Sequence, residues 1–289
     1  MKTKNNTTAY IVNSIAAAML LLTAQTSVAG SATWLLSPQD SAWESANNWT
    51  AGGPPNGPTD IATFAQSSQT GIGISTSEEV NSIKFTSDAA SFTLSIPPNG
   101  VIGGVLNISG TGVINDSSVL QTFEIRGQLV FNNASTAATA NMRIVSDARF
   151  LYGTPGGLTV FNDTSSAAGA SIVNANGDFD HDAGQTIFNG ASSAGHSSIS
   201  NYGAPETHAA GGQATFNGTS TAPNAFIENW PCQSLTGGAG LTTFKDTSTA
   251  GHATISNYGA YDVNEFAGGA TVFRGSSTAD SAILVANGG

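Results

Sequence analysis

The densest run of metal-ligating side chains is Asn176-Gly177-Asp178-Phe179-Asp180-His181-Asp182. Calcium takes about six to eight hard oxygen ligands, and carboxylates alternating through a glycine-containing turn supply them. Asp178, Asp180 and Asp182 are therefore candidate calcium ligands, and calcium is the only cofactor the sequence points to. An EF-hand loop needs a glutamate at its twelfth position; counted from Asp178 that position is Asn189. Tandem RTX-type glycine-aspartate repeats are absent too. A solvated acidic turn is the competing reading.

Three of the four tryptophans, Trp34, Trp43 and Trp49, fall within sixteen residues. Their rings are candidates for stacking on a sugar. The other reading, and the expected one, is the core of an end cap, because a solenoid needs an atypical terminal unit to close its core and its edge strand. The histidines 181, 196, 208 and 252 are isolated, and His196 and His252 hold equivalent places before an Ile-containing strand. Glu78 and Glu79 are neighbours, so a strand sends them to opposite faces. A general acid/base pair must instead converge on one bond. Neither a Gly-x-Ser-x-Gly elbow nor a Gly-x-x-x-x-Gly-Lys loop occurs. Cys232 is the single cysteine, which excludes a disulfide framework and a Cys-based zinc site. No catalytic residue is assigned.

The elements that carry these residues are repeats. Phe131, Phe161, Phe188, Phe216, Phe244 and Phe273 each open a Phe-x-x-x-Ser-[Thr/Ser]-Ala segment, 30, 27, 28, 28 and 29 residues apart. Eleven residues after each stands an apolar residue: Met142, Ile172, Ile199, Ile227, Ile255 and Leu284. Two further on, four repeats place Asn174, Asn201, Asn229 and Asn257. Each unit holds two short alternating stretches, Thr-x-Phe and small-x-Ile-x-Asn, with Gly, Asn, Asp and Ser clusters between them. Strand–turn–strand–turn units of this length, stacked in register, predict a right-handed parallel β-helix of ~28-residue coils with an irregular N-terminal cap. Phe then lies over Phe, Ile over Ile and Asn over Asn at ~4.8 Å per coil.

Only 9% of residues are charged, yet the apolar fraction is 39%, so a core can form. The net charge of −11 argues against nucleic acid and anionic membranes, which need clustered basic residues. Residues 1–29 read as a cleaved signal peptide. Lys2 and Lys4 precede the apolar run Ile15–Leu22, and Ser27-Val28-Ala29 gives a small-residue cleavage site. Removing it leaves a net charge of −13 on a chain that starts at Gly30. No later segment is apolar enough to span a bilayer as a helix. Residues 30–120 form the Trp-containing cap and irregular first coils, and 121–289 the regular repeats.

The opening Trp34 … Trp43 … Asn48-Trp49 … Pro58-Thr-Asp60-Ile-Ala-Thr-Phe64, the segment Leu106-Asn-Ile108-Ser-Gly … Gly112-Val-Ile-Asn115 and the tandem Phe units together resemble passenger regions of bacterial autotransporters. They are also similar to related cell-surface β-strand-repeat proteins. The resemblance covers nearly the whole mature chain and implies a right-handed β-helix exported through the inner membrane, to the outer-membrane surface or the exterior. It concerns the passenger alone, since no translocator barrel follows before Gly289. The expected function is a non-catalytic structural stalk or adhesin, whose partners are surface glycans or other cells. The alternatives are a polysaccharide-active lyase or hydrolase and a glycan-binding module. Fold alone does not choose among them. The last unit, Thr271 to Asn287, is as regular as its predecessors, so Phe273 and Leu284 are expected to meet water there and to favour fraying or end-to-end self-association.

Overall fold

The computed structural model describes residues 30–98, 104–138, 140–147, 156–178, 182–260 and 266–288. Among these, the one helical element is a three-residue 3-10 turn, Ala46–Asn48, and the rest of the regular structure is short strands. Parallel pairing joins them into a β-solenoid of about eight turns. One sheet begins with Ala32–Thr33, Gly57–Phe64, Ser77–Phe85 and Val105–Asn115. It continues through Gln128–Phe131, Leu158–Phe161, Gln185–Phe188, Gln213–Phe216, Leu241–Phe244 and Ala270–Phe273. The second sheet holds the alternate strands, from Gly71–Gly73 through Ser171–Asn174, Ser198–Asn201, Phe226–Asn229 and Thr254–Tyr258 to Ile283–Asn287. A third file consists of single parallel bridges linking Thr136, Ser166, Ser193, Thr221, Thr249 and Thr278. From Thr136 onward each coil thus turns three corners.

Those corners follow from residue type. Two residues after each repeat phenylalanine stand Asn133, Asp163, Gly190, Gly218, Asp246 and Gly275, all with φ between +55° and +69°. Asn, Asp and Gly are the residues that enter this left-handed region at least cost. Immediately before the first-sheet strands of the later repeats comes a glycine: Gly157, Gly184, Gly212, Gly240 and Gly269. A Cβ there would collide with a backbone carbonyl oxygen, that of Asn174 in the case of Gly212. Close backbone approach therefore demands glycine at the return point of these coils.

Inside, like lies on like. Phe131, Phe161, Phe188, Phe216, Phe244 and Phe273 stack with centroids 4.5–5.0 Å apart and planes within 12° of parallel. Each buried Phe or Ile contributes about 1.5–3 kcal/mol, and stacking adds roughly 0.5–1.5 kcal/mol per ring pair. Ile172, Ile199, Ile227 and Ile255 pair in register across the second sheet. In the first repeat the registered residue is Ile144, which faces Ile172, and not Met142. The corner before it, with Ala138 and Asn141 both at positive φ, delays the strand by two residues; Met142 is buried beside Gln121 instead.

The asparagines form a buried amide ladder. Asn174 Nδ2 donates to Asn201 Oδ1 (2.7 Å), Asn201 to Asn229 (2.8 Å) and Asn229 to Asn257 (2.8 Å). Thr186, Thr242 and Thr271 lie opposite and donate to Asn174, Asn229 and Asn257 at 2.7–2.9 Å. The ladder amides are thereby satisfied, as buried amides require. A second ladder runs through Asn132, Asn162, Asn189 and Asn217 at 2.9–3.0 Å, one residue after each phenylalanine. The core is one continuous cluster from Ala32 to Ile255, so cap and repeats share it. At the last coil the pattern opens: Ile255 is buried but Leu284, which stacks on it, is 49% exposed.

Candidate functional site

The tryptophans offered as a stacking surface are core. Trp34, Trp43 and Trp49 are all buried. Trp49 meets the other two edge-on, with centroids 5.1 and 4.8 Å away, and packs on Phe64 at 5.7 Å. Their faces are spent on one another, so no sugar can lie on them. Two polar handles are internal as well, Trp34 Nε1 donating to the Gln69 carbonyl (3.0 Å) and Trp49 Nε1 to that of Trp43 (2.7 Å). Asn48 fixes the turn beneath them. Its Oδ1 accepts from the N–H groups of Gln39 and Asp40, and its Nδ2 donates to Asp40 Oδ1 and the Ala42 carbonyl.

Asp178 and Asp182 lie on the loop between Asn174 and Gln185, the first half-buried and the second exposed. Asp180 and His181 fall outside the described residues. No group of three or more His, Cys, Asp or Glu converges among the described residues. His196, His208 and His252 are exposed. Cys232 is buried, its Sγ accepting from the Ala267 N–H at 3.1 Å, so the thiol joins two loops.

Glu78 and Glu79 do face opposite sides of their strand, Glu78 only 4% exposed. The partner that folding brings to Glu78 is Glu44. Glu44 Oε1 accepts from the backbone N–H groups of Ser75 (2.5 Å) and Thr76 (3.0 Å), and both hydroxyls lie within 3.2 Å of it. The Thr76 hydroxyl also reaches Glu78 Oε1 at 2.5 Å. One hydroxyl hydrogen cannot serve two carboxylates. The two carboxyls therefore compete for it, and they titrate in opposite directions. Burial pushes the Glu78 carboxyl above its ordinary value, against the Thr76 hydrogen bond and with help from the Glu44 charge. Burial also pushes Glu44 upward, but the donors of Ser75 and Thr76 outweigh it and hold Glu44 below the usual range.

The feature most like a binding site lies elsewhere. After the second sheet the chain makes a lateral loop and returns to the first. Each loop closes at its neck, where the returning glycine N–H donates to the carbonyl of the residue after the inner asparagine. Gly184 bonds Ala175, Gly212 bonds Tyr202, Gly240 bonds Trp230 and Gly269 bonds Tyr258, at 2.8–2.9 Å. Tyr202, Trp230 and Tyr258 consequently stand in one file. Their planes lie within 11° of parallel, with centroids 6.1 Å and 4.2 Å apart. A cavity of about 300 Å³ opens beside them, lined also by Gly203, Pro231, Gln233, Gly259 and Gly288. Tyr258 Oη donates to Glu228 Oε1 at 2.9 Å, which anchors that ring. The sequence did carry a signal for this file: an aromatic follows Asn201, Asn229 and Asn257, one per repeat.

The fold and these sites define a β-solenoid with internal side-chain ladders. Comparison with family models, with curated proteins and with solved structures returns no match to this chain.

Proposed function

We propose that the chain is an exported, non-catalytic surface protein, a passenger-like solenoid serving as a stalk or adhesin. One observation carries this reading: the strand residues that recur in register are mostly those committed to the interior, while the outward strand positions vary. Between Thr186 and Phe188 and their counterparts, the outward residues are Val160, Ile187, Thr215, Thr243 and Val272. On the second sheet they are Val173, Ser200, Glu228, Ser256 and Val285. Repetition thus serves extension, and the surface is left to contact. The resemblance to autotransporter passengers and the signal-like residues 1–29 support export. No helix among the described residues is long and apolar enough to cross a membrane.

A polysaccharide-cleaving enzyme is the second reading, and the Glu44–Glu78 pair is the observation that favours it, since environments that drive two carboxyls apart can divide acid and base roles. Burial of Glu78 weighs against it, because a glycosidic oxygen has to reach the acid. Expression of the whole gene in a Gram-negative host tests the proposal. We expect a mature N-terminus at Gly30 by mass spectrometry and protease sensitivity of the chain on intact cells. A chain retained in the cytoplasm with residues 1–29 uncleaved, or release of reducing or unsaturated sugar ends from pectin, would overturn it.

A further inference from the structure

We propose that the cavity beside Tyr202, Trp230 and Tyr258 is a binding site for a neutral saccharide residue. The site names a ligand class for the adhesin-like reading but does not rest on export. The solenoid has no structural need for these rings. At the equivalent neck Ala175 accepts the bond from Gly184, and Asp147 accepts that from Gly157 at 3.0 Å, so the coil closes equally well without an aromatic. Three successive aromatics therefore exceed what the fold requires.

The file is also unevenly spaced. Trp230 and Tyr258 are in tight contact at 4.2 Å, whereas Tyr202 and Trp230 are 6.1 Å apart with planes only 10° from parallel. Tyr202 is therefore packed less closely on Trp230 than Trp230 is on Tyr258. The wider gap leaves ring surface uncovered, and Tyr202 is 43% exposed. An uncovered aromatic face in a concave site suits the apolar C–H face of a pyranose.

The polar character of the lining selects further. Beyond the rings it comprises Gly203, Pro231, Gln233, Gly259 and Gly288, with no charged side chain among the described residues. A charged ligand would lose hydration there without gaining a counter-ion. The Gln233 amide, exposed at the rim, offers a donor and an acceptor together, as vicinal hydroxyls need. A volume of about 300 Å³ is at the lower end for ligand pockets, enough for one sugar ring.

The test is saturation-transfer NMR of the full chain with glucose, galactose, mannose and N-acetylglucosamine, together with affinity electrophoresis in neutral β-glucan, mannan and polygalacturonate. At least one neutral sugar should bind while polygalacturonate does not. Tyr202→Ala and Trp230→Ala should each weaken binding about tenfold. Phe226→Ser, which removes an exposed aromatic outside the cavity, should leave it unchanged. Should Trp230→Ala fail to fold, the exposed Tyr202 decides. Binding that survives Tyr202→Ala, absence of any neutral-sugar signal, or capture of a proline-rich peptide by the same rings with no sugar bound would overturn the site. None of these results depends on where the chain is displayed.

Discussion

Replacing Asn201 with alanine tests the amide ladder at its centre. Asn201 is fully buried; it accepts from Asn174 Nδ2 (2.7 Å) and donates to Asn229 Oδ1 (2.8 Å) and Thr242 Oγ1 (3.1 Å). Alanine leaves the Asn174 amide as a buried donor without a partner, at a cost of about 1–3 kcal/mol. Two further bonds are lost at about 0.5–1.5 kcal/mol each. Neither remaining group is stranded, because Thr242 still donates to Asn229 Oδ1 at 2.9 Å. The expected loss is therefore about 2–6 kcal/mol, read from urea unfolding followed by circular dichroism. Asn257→Ala provides the comparison. Asn257 accepts from Asn229 and Thr271, but it is only half-buried, so water can replace the lost group. Its loss should cost about 1 kcal/mol and appear mainly as faster exchange in the last coil. Asn201→Asp adds a third arm. A carboxylate there has no hydrogen for Asn229 or Thr242, so it should destabilise at neutral pH and recover in acid, when a proton returns. If Asn201→Ala costs no more than Asn257→Ala, the ladder does not hold the coils together as argued.

Glu78 carries a folded-state pKa above its ordinary value, so its stabilisation is complete below the unfolded value and is lost as pH rises through the folded one. Glu44 works in the opposite direction, contributing above the unfolded value and losing it as pH falls. Glu78→Gln should accordingly raise the melting temperature at neutral pH and leave it unchanged below about pH 4; Glu44→Gln should lower it at neutral pH. Gly212→Ala should cost more than about 2 kcal/mol because its Cβ meets the Asn174 carbonyl, whereas Gly73→Ala has open space and should cost under about 1 kcal/mol. We expect EDTA to leave the melting temperature unchanged, with Asp182 exposed; a fall would establish calcium at the Asp178–Asp182 loop. Hydrogen exchange should be fastest over residues 271–287, where Ile283 and Leu284 stand exposed, and slowest around Phe188 and Phe216; uniform protection would show that this end is covered.

The sequence alone determined the coil. A residue that must face inward is constrained in every repeat, so Phe, Ile and Asn recur at a fixed spacing and announce both strand and register. Stacking the chain on itself then turns that spacing into ladders, and the alternation at Glu78–Glu79 gives opposite faces by the geometry of a strand. Tertiary structure decided what distance along the chain conceals. The displacement from Met142 to Ile144 depends on a corner whose backbone conformation leaves no mark on a spacing rule. Glu44 reaches Glu78 only because one coil lies over another. The tryptophans became core and not a platform because Trp49 turns edge-on to its two neighbours, an orientation that three indoles in a row do not specify. Tyr202, Trp230 and Tyr258 were visible at their repeat positions. The cavity beside them came from stacking, which brings residues of successive repeats to one place.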